Sequence, residues 1–221
     1  MDTKLKMLVM LCLLLFTLVS LVSSFHNGCP KCGNFEVPYP FSTNDNCGNL
    51  RYKIYCNNGN LEFPSLQGFH YKILSIDTNT NSLIIRPPMI LKDTCSSSDL
   101  SQGGIRLDET LPFNISKHNT VLLLNCAESI LRSPLNCSNN SLCRQFEDEM
   151  EEGSGCKSRL CCHYLKDSSM NSHFIRVRSG GCTAYTSVVN INPQDPIYQW
   201  NYGIELQWLP PNPNCVLENN P

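Results

Sequence analysis

Tyr71-Lys72-Ile73-Leu74-Ser75-Ile76, a polar break from Asp77 to Asn81, and then Leu83-Ile84-Ile85-Arg86 form the stretch that decides the fold. Two short apolar runs rich in β-branched residues, bounded by Asn- and Asp-rich breaks, read as a β-hairpin. Just upstream, Arg51 to Cys56 and Leu61 to Phe63 flank Asn57-Asn58-Gly59-Asn60, where Asn and Gly tolerate the positive φ of a tight hairpin turn. With Phe69 to Ile76 and Ser82 to Arg86 as further strands, residues 25–94 read as one compact all-β module.

Downstream, Pro87-Pro88 and the polar run Ser96-Ser97-Ser98-Asp99 break the pattern and place a boundary near residue 95. Leu111 to Phe113, Thr120 to Asn125 and Phe174 to Arg178 read as strands, and Gly203 to Leu209 alternates cleanly enough to close a second module as its last strand. Ser141 to Met150 is the exception: Leu142, Cys143 and Phe146 recur at helical spacing behind a capping Ser141, and Gly153 and Gly155 end the helix. The expected class is mostly β and disulfide-rich, with two small cysteine-rich modules (residues 25–94 and 95–215), one short helix in the second, and a tail at 216–221.

The N-terminus sets the compartment. Lys4 and Lys6 precede an apolar run from Met7 to Val22, and Ser23-Ser24 follow, so residues 1–24 read as a signal peptide cleaved before Phe25. No later apolar run is long enough to span a bilayer, and the expected mature product is released without a membrane anchor. Cys12 leaves with the leader, and the remaining cysteines reach an oxidising compartment. The disulfide candidates are Cys29, Cys32, Cys47, Cys56, Cys95, Cys126, Cys137, Cys143, Cys156, Cys161, Cys162 and Cys182. Cys215, in the Pro-rich tail, is the candidate left unpaired. Adjacent Cys161 and Cys162 cannot easily bond to each other and should reach two different partners. Asn114, Asn136 and Asn139 head Asn-x-Ser sequons, which places them on the surface of a glycoprotein.

Charge excludes several functions. The whole chain carries 17 basic and 19 acidic residues, so no basic face invites nucleic acid. The N-terminal module is the less acidic half. The run Glu147-Asp148-Glu149-Met150-Glu151-Glu152 fits no EF-hand spacing and reads as a solvated helix end, not a calcium site. Cys156, Cys161, Cys162 and His163 lack the spacing of a closed zinc site, so no metal and no cofactor is expected. His70, His118 and His173 stand in no recognisable catalytic arrangement, and Gly-x-Ser-x-Gly is absent. No catalytic residue is assigned.

Cys29-Pro30-Lys31-Cys32-Gly33, Val37-Pro38-Tyr39-Pro40-Phe41, Cys47-Gly48 and Cys56, with the strands around Tyr71 to Ile76 and Leu83 to Ile85, resemble the galacturonan-binding module of plant wall-associated receptor kinases. Asn125-Cys126, Gly155-Cys156, Cys161-Cys162 and Gly203-Ile204-Glu205-Leu206-Gln207-Trp208 are similar to the C-terminal cysteine-rich region of those receptors. The resemblance implies an ectodomain that contacts pectin in the cell wall. Relatives continue into a transmembrane helix and a kinase, of which this sequence carries neither a span after Phe25 nor a Gly-rich loop or His-Arg-Asp motif, so kinase signalling is not part of the expectation.

A binder of galacturonan needs cations for a row of sugar carboxylates and flat faces for the rings. Arg51, Lys53, Lys72 and Arg86 lie on or beside predicted strands, and Arg can hold a carboxylate through two parallel hydrogen bonds. Tyr39, Tyr52 and Tyr71 offer stacking surfaces, although Tyr39 and Phe41, wedged between prolines, read first as structural. The leading expectation is a secreted, non-enzymatic binder of pectic galacturonan in the apoplast. The alternative keeps the fold and gives the surface to receptor ectodomains as a protein partner or decoy, with Cys215 as a contact; pectin hydrolysis ranks last.

Overall fold

A computed structural model describes residues 28–91, 93–128, 135–150, 156–157, 160–164, 173–175 and 181–212. The leader, Cys215, the Gly153 and Gly155 stop, Glu151-Glu152 and the strand expected beyond Ile175 lie outside the described residues.

Strands β1 (Tyr55–Asn57), β2 (Asn60–Pro64), β3 (His70–Asp77) and β4 (Ser82–Ile85) follow one another as antiparallel neighbours. Asn58 and Gly59 both have positive φ, 49° and 76°, which makes the β1–β2 connection a two-residue primed turn of the kind Asn-Gly favours. The expected strand from Arg51 is shorter than its sequence suggests. The Asn49 side chain accepts from the Arg51 amide and Leu50–Tyr52 winds into a 3₁₀ turn, so that after an isolated Lys53–Ser42 bridge the hairpin ladder begins at Tyr55. The Cys47-Gly48 pair has a steric reason: Gly48 has φ +63°, and a Cβ there would lie 2.0 Å from the Phe41 carbonyl oxygen.

After β5 (Ile90–Leu91) and β6 (Ser96–Ser97), which pair as a small ribbon, the chain forms β7 (Phe113–Ile115), β8 (Asn119–Cys126), β9 (Leu135–Asn136), helix α1 (Leu142–Asp148), β10 (Cys162–Tyr164), β11 (Cys182–Val189) and β12 (Ile204–Trp208). Ser141 caps α1, its hydroxyl accepting from the Arg144 amide at 3.2 Å. One sheet has the order β1-β2-β3-β4-β12-β7 and a second the order β11-β8-β10-β9.

This topology corrects the expected boundary. β12 does not close a separate C-terminal module. It pairs with β4 through Ile204↔Ile85 and Leu206↔Leu83, and β7 pairs with its other edge, so residues beyond 95 complete the N-terminal sheet. Apolar alternation explains the choice: Ile204, Leu206 and Trp208 share an inward face with Leu83, Ile85, Phe113 and Ile115, and all are buried. The disulfides divide along the chain differently from the sheet. Cys29–Cys47 and Cys32–Cys56 lie before residue 95, Cys95–Cys156, Cys126–Cys182, Cys137–Cys162 and Cys143–Cys161 from it onward, and no bridge among the described residues joins the two sets.

What joins the halves is packing and two buried polar knots. Phe41 meets Trp208 edge-on at 4.8 Å and Phe63 meets Phe113 at 5.0 Å, seating the N-terminal loop and β2 on β7 and β12. Asp99 is fully buried, and its Oδ2 accepts the hydroxyls of Tyr71 from β3 and Tyr185 from β11, each at 2.6 Å, so one carboxyl clasps both sheets. Asn119, at the head of β8, donates to the Ser116 and Glu205 carbonyls and accepts from the Glu205 amide, all at 2.8 Å, holding β12 against the second sheet.

The clasp makes stability pH-dependent. Burial pushes the Asp99 carboxyl above its usual range, against the opposing pull of the two tyrosine hydrogen bonds. Because its folded-state pKa is raised, its favourable contribution is complete below the unfolded carboxylate value of about 3.9 and is lost as pH rises through the folded pKa. Wild type should therefore lose stability relative to Asp99→Asn as pH rises from about 3.9, measured by guanidinium unfolding with disulfides intact. A stability difference that stays constant with pH would contradict this.

Candidate functional site

Strand parity builds a surface on the outside of the N-terminal sheet. Leu61, Phe63, Tyr71, Ile73, Leu83 and Ile85 face inward, so their neighbours Glu62, His70 and Lys72, and Arg86 just past β4, face outward. Register aligns them. Tyr55 stands opposite Glu62, Glu62 opposite Lys72, and the Arg86 amide bonds to the Lys72 carbonyl at 2.8 Å, placing Arg86 next in line. At about 4.8 Å per strand the row is about 14 Å long.

Tyr55 stands at one end of the row, and its ring stacks at 4.8 Å, with 22° between the planes, on that of His70, which lies on β3 opposite Pro64; Tyr55 is 36% exposed. In the middle, Glu62 Oε2 accepts from Asn57 Nδ2 at 2.5 Å and lies 3.2 Å from His70 Nδ1. The other end is cationic. Lys72 is half-buried and Arg86 exposed, and neither makes an ion pair or side-chain hydrogen bond among the described residues. Lys72 leaves Glu62 to His70 although it stands directly across from it.

Of the residues singled out by sequence, Lys72 and Arg86 come together here. Arg51 and Lys53 do not join the row: Arg51 Nη2 donates to the Thr110 carbonyl at 2.9 Å, and Lys53 pairs with Asp45 at 3.3 Å. The stacking role of Tyr52 and Tyr71 is corrected. They are 3% and 2% exposed, Tyr52 at the end of the 3₁₀ turn donating to the Leu209 carbonyl and Tyr71 on β3 donating to Asp99, both directed into the core. Phe41 is buried as a structural residue, whereas Tyr39, beside the cis Tyr39–Pro40 peptide, is 45% exposed. Tyr55 and His70 are the aromatic pair that sequence reasoning missed. Counting parity from the apolar Ile54 and Tyr71 to their neighbours would have found both.

Elsewhere, Glu147 is not solvated as the acidic run suggested. It is fully buried and ion-paired with Arg144 one turn earlier, while Asp148 and Glu149 are exposed. Among the sequons, Asn114 lies on edge strand β7 and Asn136 on β9, not in turns, and Asn139 is exposed before α1. No helix among the described residues is long and apolar enough to cross a membrane.

Residues 29–87, which contain the whole row, match the family model described as wall-associated receptor kinase galacturonan-binding. The chain is 43% identical over 195 residues to wall-associated receptor kinase-like 20 of Arabidopsis thaliana, covering 85% of this chain and 29% of that protein. It is 38% identical over 197 residues to wall-associated receptor kinase-like 15 of the same plant, covering 85% and 31%. The chain thus spans less than a third of the length of these relatives. No solved structure matches. The similarity to these receptor-kinase-like proteins thus extends well beyond residues 29–87, which the family model matches.

Because Lys72 and Arg86 serve no partner within the described fold, removing their charges should leave it intact. The Lys72→Met, Arg86→Met double variant should unfold within about 0.5 kcal/mol of wild type per substitution in a denaturant titration. A larger loss would assign the pair a structural role.

Proposed function

We propose that this chain binds acidic cell-wall polysaccharide of the galacturonan class as an extracellular, non-catalytic, receptor-ectodomain-like protein. The observation that carries the reading is the row itself: two cations without side-chain partners among the described residues, in register beside an exposed aromatic stack, on one face of the segment matched by the galacturonan-binding family. The leader-like N-terminus and six disulfides support an extracellular, oxidising location.

The chemistry is that of an open, solvated polyanion site. Arg86 presents a planar fork that can take a sugar carboxylate through two hydrogen bonds, and Lys72 presents a compact charge with three donors. The Tyr55–His70 stack offers a flat apolar face on which the C–H face of a sugar ring can lie. Exposed ion pairs contribute only about 0.2–1 kcal/mol each, so affinity grows through repetition along the polymer and is salt-sensitive.

The test is retention of the oxidised protein on immobilised galacturonan and on cellulose across a salt series. Wild type should bind galacturonan and not cellulose, and binding should fade as the Debye length falls from about 10 Å at 0.1 M salt to about 3 Å at 1 M. The Lys72→Met, Arg86→Met variant should lose about tenfold in affinity, while Lys53→Met, off the row, should stay near wild type. A folded wild type that ignores galacturonan, or a double variant that binds as wild type does, would overturn the proposal, the former directing the search to protein partners.

A further inference from the structure

We infer that Glu62 makes the face selective for a galacturonan in which a neutral, esterified sugar lies over the middle of the row and ionised sugars lie over its cationic end. The inference rests on the binding reading above. A chain lying along the row from Tyr55 to Arg86 must cross Glu62, because the three strands bring Tyr55, Glu62 and Lys72 into direct cross-strand opposition.

Glu62 is held where it can act on such a chain. Asn57 Nδ2 and His70 Nδ1 both engage Oε2, and no Glu62–Lys72 ion pair forms. Its side chain remains 25% exposed, on the same face as the Tyr55–His70 stack. Had Glu62 paired with Lys72, the two charges would have cancelled; as arranged, the carboxylate held by Asn57 and His70 is followed by two cations that make no ion pair among the described residues.

A sugar carboxylate placed over Glu62 meets a like charge at contact range, which weakens binding in a partly solvated site. A methyl ester at that position carries no charge, its methyl group can rest on the stacked rings, and the sugar hydroxyls can donate to the Glu62 carboxylate. Over Lys72 and Arg86 the preference reverses, because there a free carboxylate is what the cations bind. Glu62 is a specificity-determining residue on this reading, and Asn57 and His70 are positioning residues that act through it.

The experiment is calorimetric titration of wild type and Glu62→Gln with two oligogalacturonates of equal length, one fully de-esterified and one partly methyl-esterified. Wild type should prefer the partly esterified oligomer by about fivefold, the size of one exposed like-charge contact. Glu62→Gln, which keeps the side-chain shape, should lose that preference by binding the de-esterified oligomer more tightly. A role limited to holding His70 would shift both affinities together and leave their ratio unchanged, and an unchanged ratio overturns the inference. Should Glu62→Gln fail to fold, the wild-type ratio decides alone, and equal or tighter binding of the de-esterified oligomer overturns it. Wild type that binds neither oligomer overturns the binding reading itself, a separate result.

Discussion

One buried carboxyl takes hydrogen bonds from two tyrosines that belong to different sheets, and the outer surface of the protein depends on it. With Tyr71 drawn inward to Asp99, the alternation of β3 leaves His70 and Lys72 no choice but to face solvent. The same carboxyl receives Tyr185 from β11, so the inward face of the first sheet is registered against the second. Slipping β3 by one residue would bury Lys72 and expose Tyr71, at the cost of an unpaired charge and the lost Tyr71–Asp99 hydrogen bond.

Stability is divided between this joint and covalent staples. Each half carries its own disulfides, and bridges in small secreted domains are commonly worth about 2–5 kcal/mol each. None of them spans the two halves, so the association of β4 with β12 rests on apolar packing, ladder hydrogen bonds and the Asp99 and Asn119 knots. The row of Tyr55, Glu62, Lys72 and Arg86 runs from edge strand β1, pinned by Cys32–Cys56, to the end of β4, on the face opposite the buried one. The proposed binding row and the packed core thus occupy opposite faces of the same sheet.

Much of this was readable from residue order. The Tyr71–Arg86 hairpin, the Asn58-Gly59 turn and the Ser141-capped helix all follow from local chemistry, and local chemistry is what a sequence displays. Non-local pairing was not readable. Alternation identifies Ile204–Trp208 as a strand but not its neighbour, and only the three-dimensional register shows it completing the sheet begun by β1. Tyr52 and Tyr71 looked like stacking surfaces because a tyrosine's type does not reveal its direction. Once Tyr71 is known to face inward, Tyr55, Glu62 and His70 emerge as the outward set. Lys72 and Arg86 were found without that knowledge, but Arg51 and Lys53 were grouped with them only by charge.

The central claim is that the outward row is the ligand-bearing face. The most direct measurement is an amide-resolved NMR titration of the isotope-labelled, oxidised protein with oligogalacturonate. The expected result is a contiguous set of shifts at Tyr55, Glu62, His70, Lys72 and Arg86, with Arg51, Lys53 and the α1 region unmoved. Shifts confined to Arg51 and Lys53, or to the half of the chain beyond residue 95, would contradict it.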